Sequence, residues 1–220
     1  MNAHSVWIYL HILLLVYWLG ADLGVLLLAR AAKRSELSFA ERAFALRMAT
    51  LIDFTPRICF ALMFPVGMQL ADGAWARFPA SAMALAWAIA FGWIALLFAL
   101  ARSEGTPRAA FLNRSHLALQ AVLVLIVGTL GVRSWQGLGP FSSGWLAAKI
   151  MLFAMIFAAG IGIDFAFRPI VPAFMRLASE GSKPDIEAAI SRAVDGAVRY
   201  VLLLYALLLI IAFLGTTKPF

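Results

Sequence analysis

The sequence predicts an all-α integral membrane protein with six transmembrane helices, forming a single domain over residues 1–220. Hydrophobic residues make up 64% of the chain and charged residues 13%, whereas a soluble domain is about half apolar and about a quarter charged. Six apolar runs are long enough to cross about 30 Å of hydrocarbon at about 1.5 Å per residue. Basic residues are concentrated in alternate connecting segments, which is typical of multi-pass membrane proteins.

The six runs are expected to form one span each, and the first is expected to be a retained span rather than a signal peptide. No Lys or Arg precedes it, and no small-residue cleavage site follows before Arg30. The third run contains no ionisable residue and is interpreted as scaffolding. The single cysteine, Cys59, lies inside the second run, so no intrachain disulfide is expected. The predicted spans are residues 6–28, 51–70, 80–101, 116–132, 145–167 and 197–215.

Three local patterns predict where helices begin. Ser38 followed by Glu41 fits a capping box, so a helix is expected to begin near Phe39 and to run into the second span. Thr106 followed by Pro107 predicts an early start for the fourth helix. The segment 182–185 has a similar start signal for the helix of the sixth span. Spans one, two, five and six are therefore expected to extend as long helices beyond the bilayer.

The distribution of positive charge predicts the orientation of the chain. Of the 18 Lys and Arg residues, 13 lie in the segments 30–50, 102–115 and 168–199, and the alternate segments hold only three. Because basic residues accumulate on the cytoplasmic side, both termini are expected outside, in the periplasm, with the protein in a bacterial inner membrane. The same pattern explains the net charge of +7 without a nucleic-acid partner.

The first span carries two ionisable side chains, His11 and Asp22, in an otherwise apolar run. Hydrocarbon cannot solvate an imidazole or a carboxylate, so these residues are functional-site candidates by default. At about 100° per residue, His4, His11 and Asp22 project within about 20° of one another, with Trp18 on the same stripe. This face of the helix is therefore expected to contact protein, a cofactor or water.

The ionisable residues of the spans are expected to form two layers. An outer layer contains His11 and Lys149, and an inner layer contains Asp22 and Arg57, with Asp53 one helical turn from Arg57. The inner layer is interpreted either as a structural ion pair or as a place where Arg57 holds a cofactor carboxylate.

The outer layer suggests a haem, because iron takes an axial imidazole and the propionates take a nearby cation. The alternatives are a structural histidine with a snorkelling Lys149, and a metal ion. His116 is interpreted either as an interfacial cap residue or as the ligand of a second haem in the other leaflet. His4 is expected at the interface, solvated or next to a more exposed cofactor. Met63, Met68, Met151 and Met155 could bind Cu(I), but core filling is the preferred interpretation.

Two segments resemble the HemJ and CopD superfamily of membrane proteins. The run from Leu10-His11 through Trp18 to Gly20 resembles the first helix of that superfamily, and Trp145-Leu-Ala-Ala-Lys149 resembles the Trp-Leu-x-x-Lys helix of HemJ-type proteins. The segment 55–67 is a looser match. The HemJ pattern has a histidine where this chain has Ala147. The resemblance implies b-type haem bound through His11, with Lys149 as a second functional residue. HemJ proteins oxidise protoporphyrinogen, and CopD proteins are associated with copper uptake.

The expected function is therefore that of a haem b redox protein that exchanges electrons with a quinone or a membrane-bound partner, with one or two haems. Lys149 and Asp22 are the candidate catalytic residues. A copper or metal-ion permease of the CopD type and a cofactor-free anchor or assembly subunit stay open, as does a homo-oligomer in the lipid. The candidate cofactor-binding residues are His11, Arg57, Lys149, His116, Trp18 and Trp145, and the candidate metal ligands are His11, His116 and His4.

Overall fold

The computed structural model describes residues 3–103 and 105–219, which are helical apart from short connections and one isolated β-bridge. Six helical segments in this part of the chain are long and apolar enough to cross a membrane, as the sequence predicts. The fifth of these segments consists of two helices, α5 and α6. The helices are α1 (Ala3–Ala32), α2 (Phe39–Ala71), α3 (Ala80–Arg102), α4 (Pro107–Trp135), α5 (Gly144–Phe167), α6 (Ile170–Glu180) and α7 (Pro184–Thr217).

The predicted helix starts are confirmed. Helix α2 begins at Phe39 behind a capping box, in which the Glu41 backbone N–H donates to Ser38 Oγ at 3.3 Å and the Ser38 N–H donates to the Glu41 carboxylate at 2.8 Å. Helix α4 begins at Pro107 directly after Thr106, and α7 begins at Pro184. These helices start well before their apolar runs because capping and a first-turn proline favour helix formation in polar sequence as well.

The expectation of one long fifth helix is wrong in detail. Helix α5 ends at Phe167, and the separate 11-residue helix α6 begins at Ile170. Pro169 lies in the break and cannot donate a backbone hydrogen bond to the preceding turn, which interrupts the helical ladder. The chain therefore turns at this point, and α6 packs mainly against α7.

Ion pairs hold together the end of the bundle that contains the connections 33–38, 103–106 and 168–183, here called the basic end. Arg42 is 2% exposed, and its guanidinium donates two hydrogen bonds of 2.8 Å to the carboxylate of Glu187. Its Nε donates to the carbonyl of Ala32, the last residue of α1. Lys33 similarly donates to Asp195 of α7. Arg42 thus joins α1, α2 and α7 at a buried position.

Five aromatic side chains fill the middle of the bundle and are here called the aromatic partition. Phe60 is at their centre, with ring centroids 4.5 Å from Phe157, 4.8 Å from Trp18, 5.2 Å from Trp93 and 5.6 Å from Phe153. All five are less than 9% exposed. Tilted and edge-on aromatic pairs at these distances are favourable. The partition joins α1, α2, α3 and α5, and it therefore includes Trp93 of the helix that the sequence suggested was only scaffolding.

Helices α4 and α5 are in close contact at Gly131. A Cβ atom added to Gly131 would lie 2.7 Å from Met151 Cγ and 2.8 Å from the Met151 backbone nitrogen. Small residues at such positions let two helix backbones come into direct contact, which is a common basis of helix association in membranes.

Gly131→Ala should therefore destabilise the protein by about 1–3 kcal/mol, since the added methyl group must push apart two backbones. The measurement is the thermal unfolding midpoint of purified protein in detergent. Gly92→Ala is the matched control, because a Cβ atom at Gly92 would meet nothing within 4 Å. Equal midpoints for the two variants would contradict the assigned contact.

Candidate functional site

Two cavities lie inside the bundle, one on each side of the aromatic partition. The large cavity has a volume of about 430 Å³ and lies in the half nearer the basic end. The small cavity has a volume of about 90 Å³ and lies in the other half. Trp18, Phe60 and Trp93 line the large cavity, whereas Phe153 lines the small one. Polar side chains that line the large cavity include Asp22, Asp53, Arg57, Asn113, His116, Gln120 and Asp164.

Arg57 connects two carboxylates in the wall of the large cavity. Its Nε donates to Asp53 Oδ2 at 2.5 Å, one turn earlier on α2, and its second terminal nitrogen lies 3.6 Å from Asp164 Oδ1 on α5. The sequence suggested Asp22 as the first partner of Arg57 and Asp53 as the second. Asp53 is confirmed, whereas no ion pair joins Arg57 to Asp22 in the described ranges. Asp164, from a helix far away in the sequence, takes that place.

His116 lies buried in the same wall, with 2% of its surface exposed. The amide nitrogen of Gln120 is 3.3 Å from His116 Nδ1 and 3.4 Å from Nε2, and it also donates to Asp164 Oδ2 at 3.2 Å. One amide nitrogen cannot lie along the lone-pair directions of both ring nitrogens, so at least one of them has no well-aligned hydrogen bond. Asp164 Oδ2 lies 3.7 Å from Nδ1. The interpretation of His116 as an interfacial cap residue is therefore wrong, because its ring is enclosed by protein.

Asp22 lines the large cavity near Arg57 and Trp18 but belongs to no ion pair among the described residues. The hydroxyl of Tyr205, which interacts with Asp22, is buried and has no hydrogen-bond partner of good geometry. A carboxylate and a phenol without close partners are costly inside a membrane bundle. Asp22 in the cavity wall therefore lacks an ion-pair partner among the described residues, and the Tyr205 hydroxyl beside it, like Trp93 Nε1, lacks a well-aligned hydrogen bond.

The small cavity brings together the two residues of the predicted outer layer. His11 of α1 and Lys149 of α5 both line it, and the rest of its wall is apolar. The Nδ1 atom of His11 is buried and has no hydrogen-bond partner. The predicted layer of an imidazole and an ammonium is thus a real juxtaposition in the structure.

Trp145 and His4 lie near the small cavity but do not line it. Trp145 is 7% exposed and contacts the Trp75 ring edge-on, with the Lys149 ammonium 5.9 Å from its ring centroid. The His4 ring lies 6.0 Å from that of Trp75. The three candidate metal ligands therefore do not converge, since His11 and His116 line different cavities. Residues 3–103 and 105–219 contain no group of three His, Cys, Asp or Glu side chains placed to hold a metal ion.

The two cavities differ in whether they fit a haem. Sites for cofactors and drug-sized ligands usually measure about 300–1,000 Å³, so the small cavity does not hold a macrocycle in this arrangement of His11 and Lys149. The large cavity has sufficient volume, a buried imidazole with an incompletely satisfied nitrogen, and two guanidinium groups, Arg57 and Arg168, in its wall. The residues of the large cavity therefore fit a haem.

Comparison with known proteins gives no further information on the site. No protein-family model, no curated protein and no solved structure matches the chain. The interpretation of the site therefore depends on its side chains alone.

Sequence reasoning did not assign a site role to Asp164, Gln120 or Tyr205. The signal for Gln120 was its position one helical turn after His116, and that for Asp164 was a lone carboxylate in an apolar span. A single sequence gives the depth of such residues but not the rotation of each helix. Tyr205 had no distinguishing pattern.

Arg57→Met should lower the thermal unfolding midpoint strongly, because two partly buried carboxylates lose the cation that compensates them. The expected loss is on the order of 1–3 kcal/mol. A triple variant that also carries Asp53→Asn and Asp164→Asn should recover much of the loss, since no uncompensated charge is left. If the triple variant is less stable than Arg57→Met, the ion pairs assigned to Arg57 are wrong.

Proposed function

We propose that the chain is a haem b-binding redox protein of the membrane, with the haem in the large cavity and His116 as its axial ligand. The observation that carries this proposal is a buried imidazole, incompletely hydrogen-bonded, in the wall of a cavity of about 430 Å³ among membrane-spanning helices. A structural histidine would be expected to have a well-aligned partner for each polar ring nitrogen.

Three further features of the large cavity support a haem. Trp18, Phe60 and Trp93 offer flat apolar surfaces to a macrocycle. Arg57 and Arg168 offer guanidinium groups to propionates, and Arg168 is close to the basic end, where the helix breaks. Together these groups provide the usual elements of a haem site: an axial nitrogen, an apolar slot and cations for the carboxylates.

The bound haem would supply one-electron chemistry, and the chain's own residues would set its surroundings. Gln120 and Asp164 hold the His116 ring in place from one side. Arg57, which is shared between two carboxylates, is held by them in the cavity wall. The aromatic partition excludes water on the side facing the small cavity. Since membrane-spanning helices enclose the cavity, we propose a quinone or a membrane-bound protein as the electron partner.

This proposal places a single haem on His116 rather than on His11. The resemblance to HemJ-type proteins points to His11, but the space beside His11 and Lys149 is too small for a macrocycle. The larger volume beside His116 supports the proposal of His116 over His11. Asp22, in the wall of the same cavity, is then the candidate for taking up a proton when the charge of the site changes.

His116→Ala should abolish the Soret band of the purified protein and its shift on reduction with dithionite, because the axial nitrogen is lost. The measurement is the optical spectrum per mole of protein expressed with a haem precursor in the medium. His11→Ala and His4→Ala are the matched controls, and both should keep the band. These three residues are all the histidines of the chain.

The alternative outcomes each contradict the proposal in a different way. A band that is lost only in His11→Ala would return the haem to the small cavity after rearrangement. A colourless protein that binds Cu(I) would favour the permease. A colourless protein that binds no metal would favour an anchor or assembly subunit.

A further inference from the structure

We infer that the small cavity is a binding site for a small, weakly hydrated monovalent anion, held by the ammonium of Lys149 and the imidazole of His11. This site is separate from the haem site proposed above and does not depend on it. The small cavity has a cation, the ammonium of Lys149, in a wall that is otherwise mostly apolar. Lys149 has no carboxylate within ion-pair distance and no hydrogen-bond acceptor in the described part of the chain, although its side chain lines a cavity.

Most acidic residues that the structure describes are elsewhere. Within the ranges 3–103 and 105–219, only Asp72 belongs to the half of the bundle that contains the small cavity. Asp72 is exposed, and its carboxylate accepts a hydrogen bond from the Phe78 backbone N–H. A charge partly withdrawn from water needs a counter-charge or several hydrogen bonds. The described carboxylates provide Lys149 with neither a counter-charge nor a hydrogen bond.

The last turn of α7 does not satisfy Lys149 either. The ammonium lies so close to Gly215 that a Cβ atom added there would be 2.6 Å from Nζ. The neighbouring carbonyls already accept other hydrogen bonds. The Thr216 and Thr217 hydroxyls donate to the carbonyls of residues 212 and 213, and the Lys218 N–H donates to that of Leu214. The ammonium is thus held beside the backbone by the absence of a side chain at position 215, with its donors free for a ligand.

His11 provides a second, independent indication of a ligand. Its Nδ1 atom is buried and unpartnered, and the ring lies against Gly67, where an added Cβ atom would be 3.3 Å from Cε1. An imidazole beside an unpaired ammonium cannot neutralise it. An anion between the two would accept a hydrogen bond from each group.

The size and lining of the cavity determine the class of anion. A volume of about 90 Å³ admits a few non-hydrogen atoms, since one water molecule occupies about 30 Å³ of the liquid. The remaining wall consists of aliphatic, aromatic and methionine side chains, which cannot replace the shell of a strongly hydrated ion. Iodide or thiocyanate fits both limits, whereas phosphate and sulfate do not.

A second cation increases the positive potential at this end of the bundle. The ammonium of Lys218 lies 4.2 Å from the centroid of the Trp75 ring and 5.9 Å from that of Trp145. The Lys149 ammonium is also 5.9 Å from the Trp145 ring. Both ammonium groups therefore lie near the Trp145 ring, at the same end of the bundle.

The test uses radioactive iodide as the probe, and the iodide bound per mole of protein is measured by equilibrium dialysis. The protein in detergent should show a saturable component of iodide binding above the linear, non-specific one. Thiocyanate should displace the iodide that is bound in this saturable way. Lys149→Met should weaken the saturable component roughly tenfold or more, since the main charged donor is lost.

Two variants make the result decisive. Arg133→Met removes a positive charge from the same end of the bundle without touching the cavity and should keep the saturable component. Gly215→Ala keeps the charge but displaces the ammonium, so it should lose that component even if Lys149→Met fails to fold. A saturable component that is absent from the wild type, or unchanged in Lys149→Met and Gly215→Ala, would overturn the inference without affecting the haem proposal.

Discussion

The pairing of Arg57 with Asp53 and Asp164 is the interaction on which the large cavity depends. Hydrocarbon cannot solvate a guanidinium or a carboxylate, so these groups must face one another inside the bundle. Asp53 is supplied by the same helix one turn away, and Asp164 fixes the rotation of α5 relative to α2. Since Asp164 also contacts Gln120 of α4, a single ionic network positions three helices around the cavity.

The two halves of the bundle differ in how the charges of their side chains are compensated. In the half near the basic end, acids and bases neutralise one another around a large cavity, and His116 is enclosed among them. In the other half, Lys149 and His11 line a small cavity without an acid. The first arrangement suits a large cofactor whose charge the protein compensates, and the second suits a small ligand that brings its own negative charge. The aromatic partition keeps these environments apart.

Much of the fold could be predicted from the sequence, because hydrophobic run length and helix capping are local properties. Ser38 with Glu41 and Thr106 with Pro107 indicated the helix starts correctly, and only the break at Pro169 was missed, although a proline at that position is a local signal too. Depth along the membrane also follows from counting residues. Such counting correctly placed His11 near Lys149. It also placed Asp22 in the same layer as Arg57.

The partners within each layer could not be predicted, because they depend on how each helix is rotated about its axis. Asp22 and Arg57 share a depth and a cavity, but Arg57 pairs with Asp164 instead. Trp93 was overlooked because a span without ionisable residues has no polar marker, yet its ring contacts both Phe60 and His116. The cavity volume beside each histidine is likewise a property of packing. It is the reason why the haem is proposed at His116 and not at His11.

The aromatic partition has an electrical consequence. Five closely packed rings lie between the two cavities, and packing of this kind leaves little room for a file of water molecules along which protons could hop. Electrons could still pass over such a distance through the packed rings, whereas ions could not. A protein built in this way can exchange charge at one face while preserving the voltage across the bilayer.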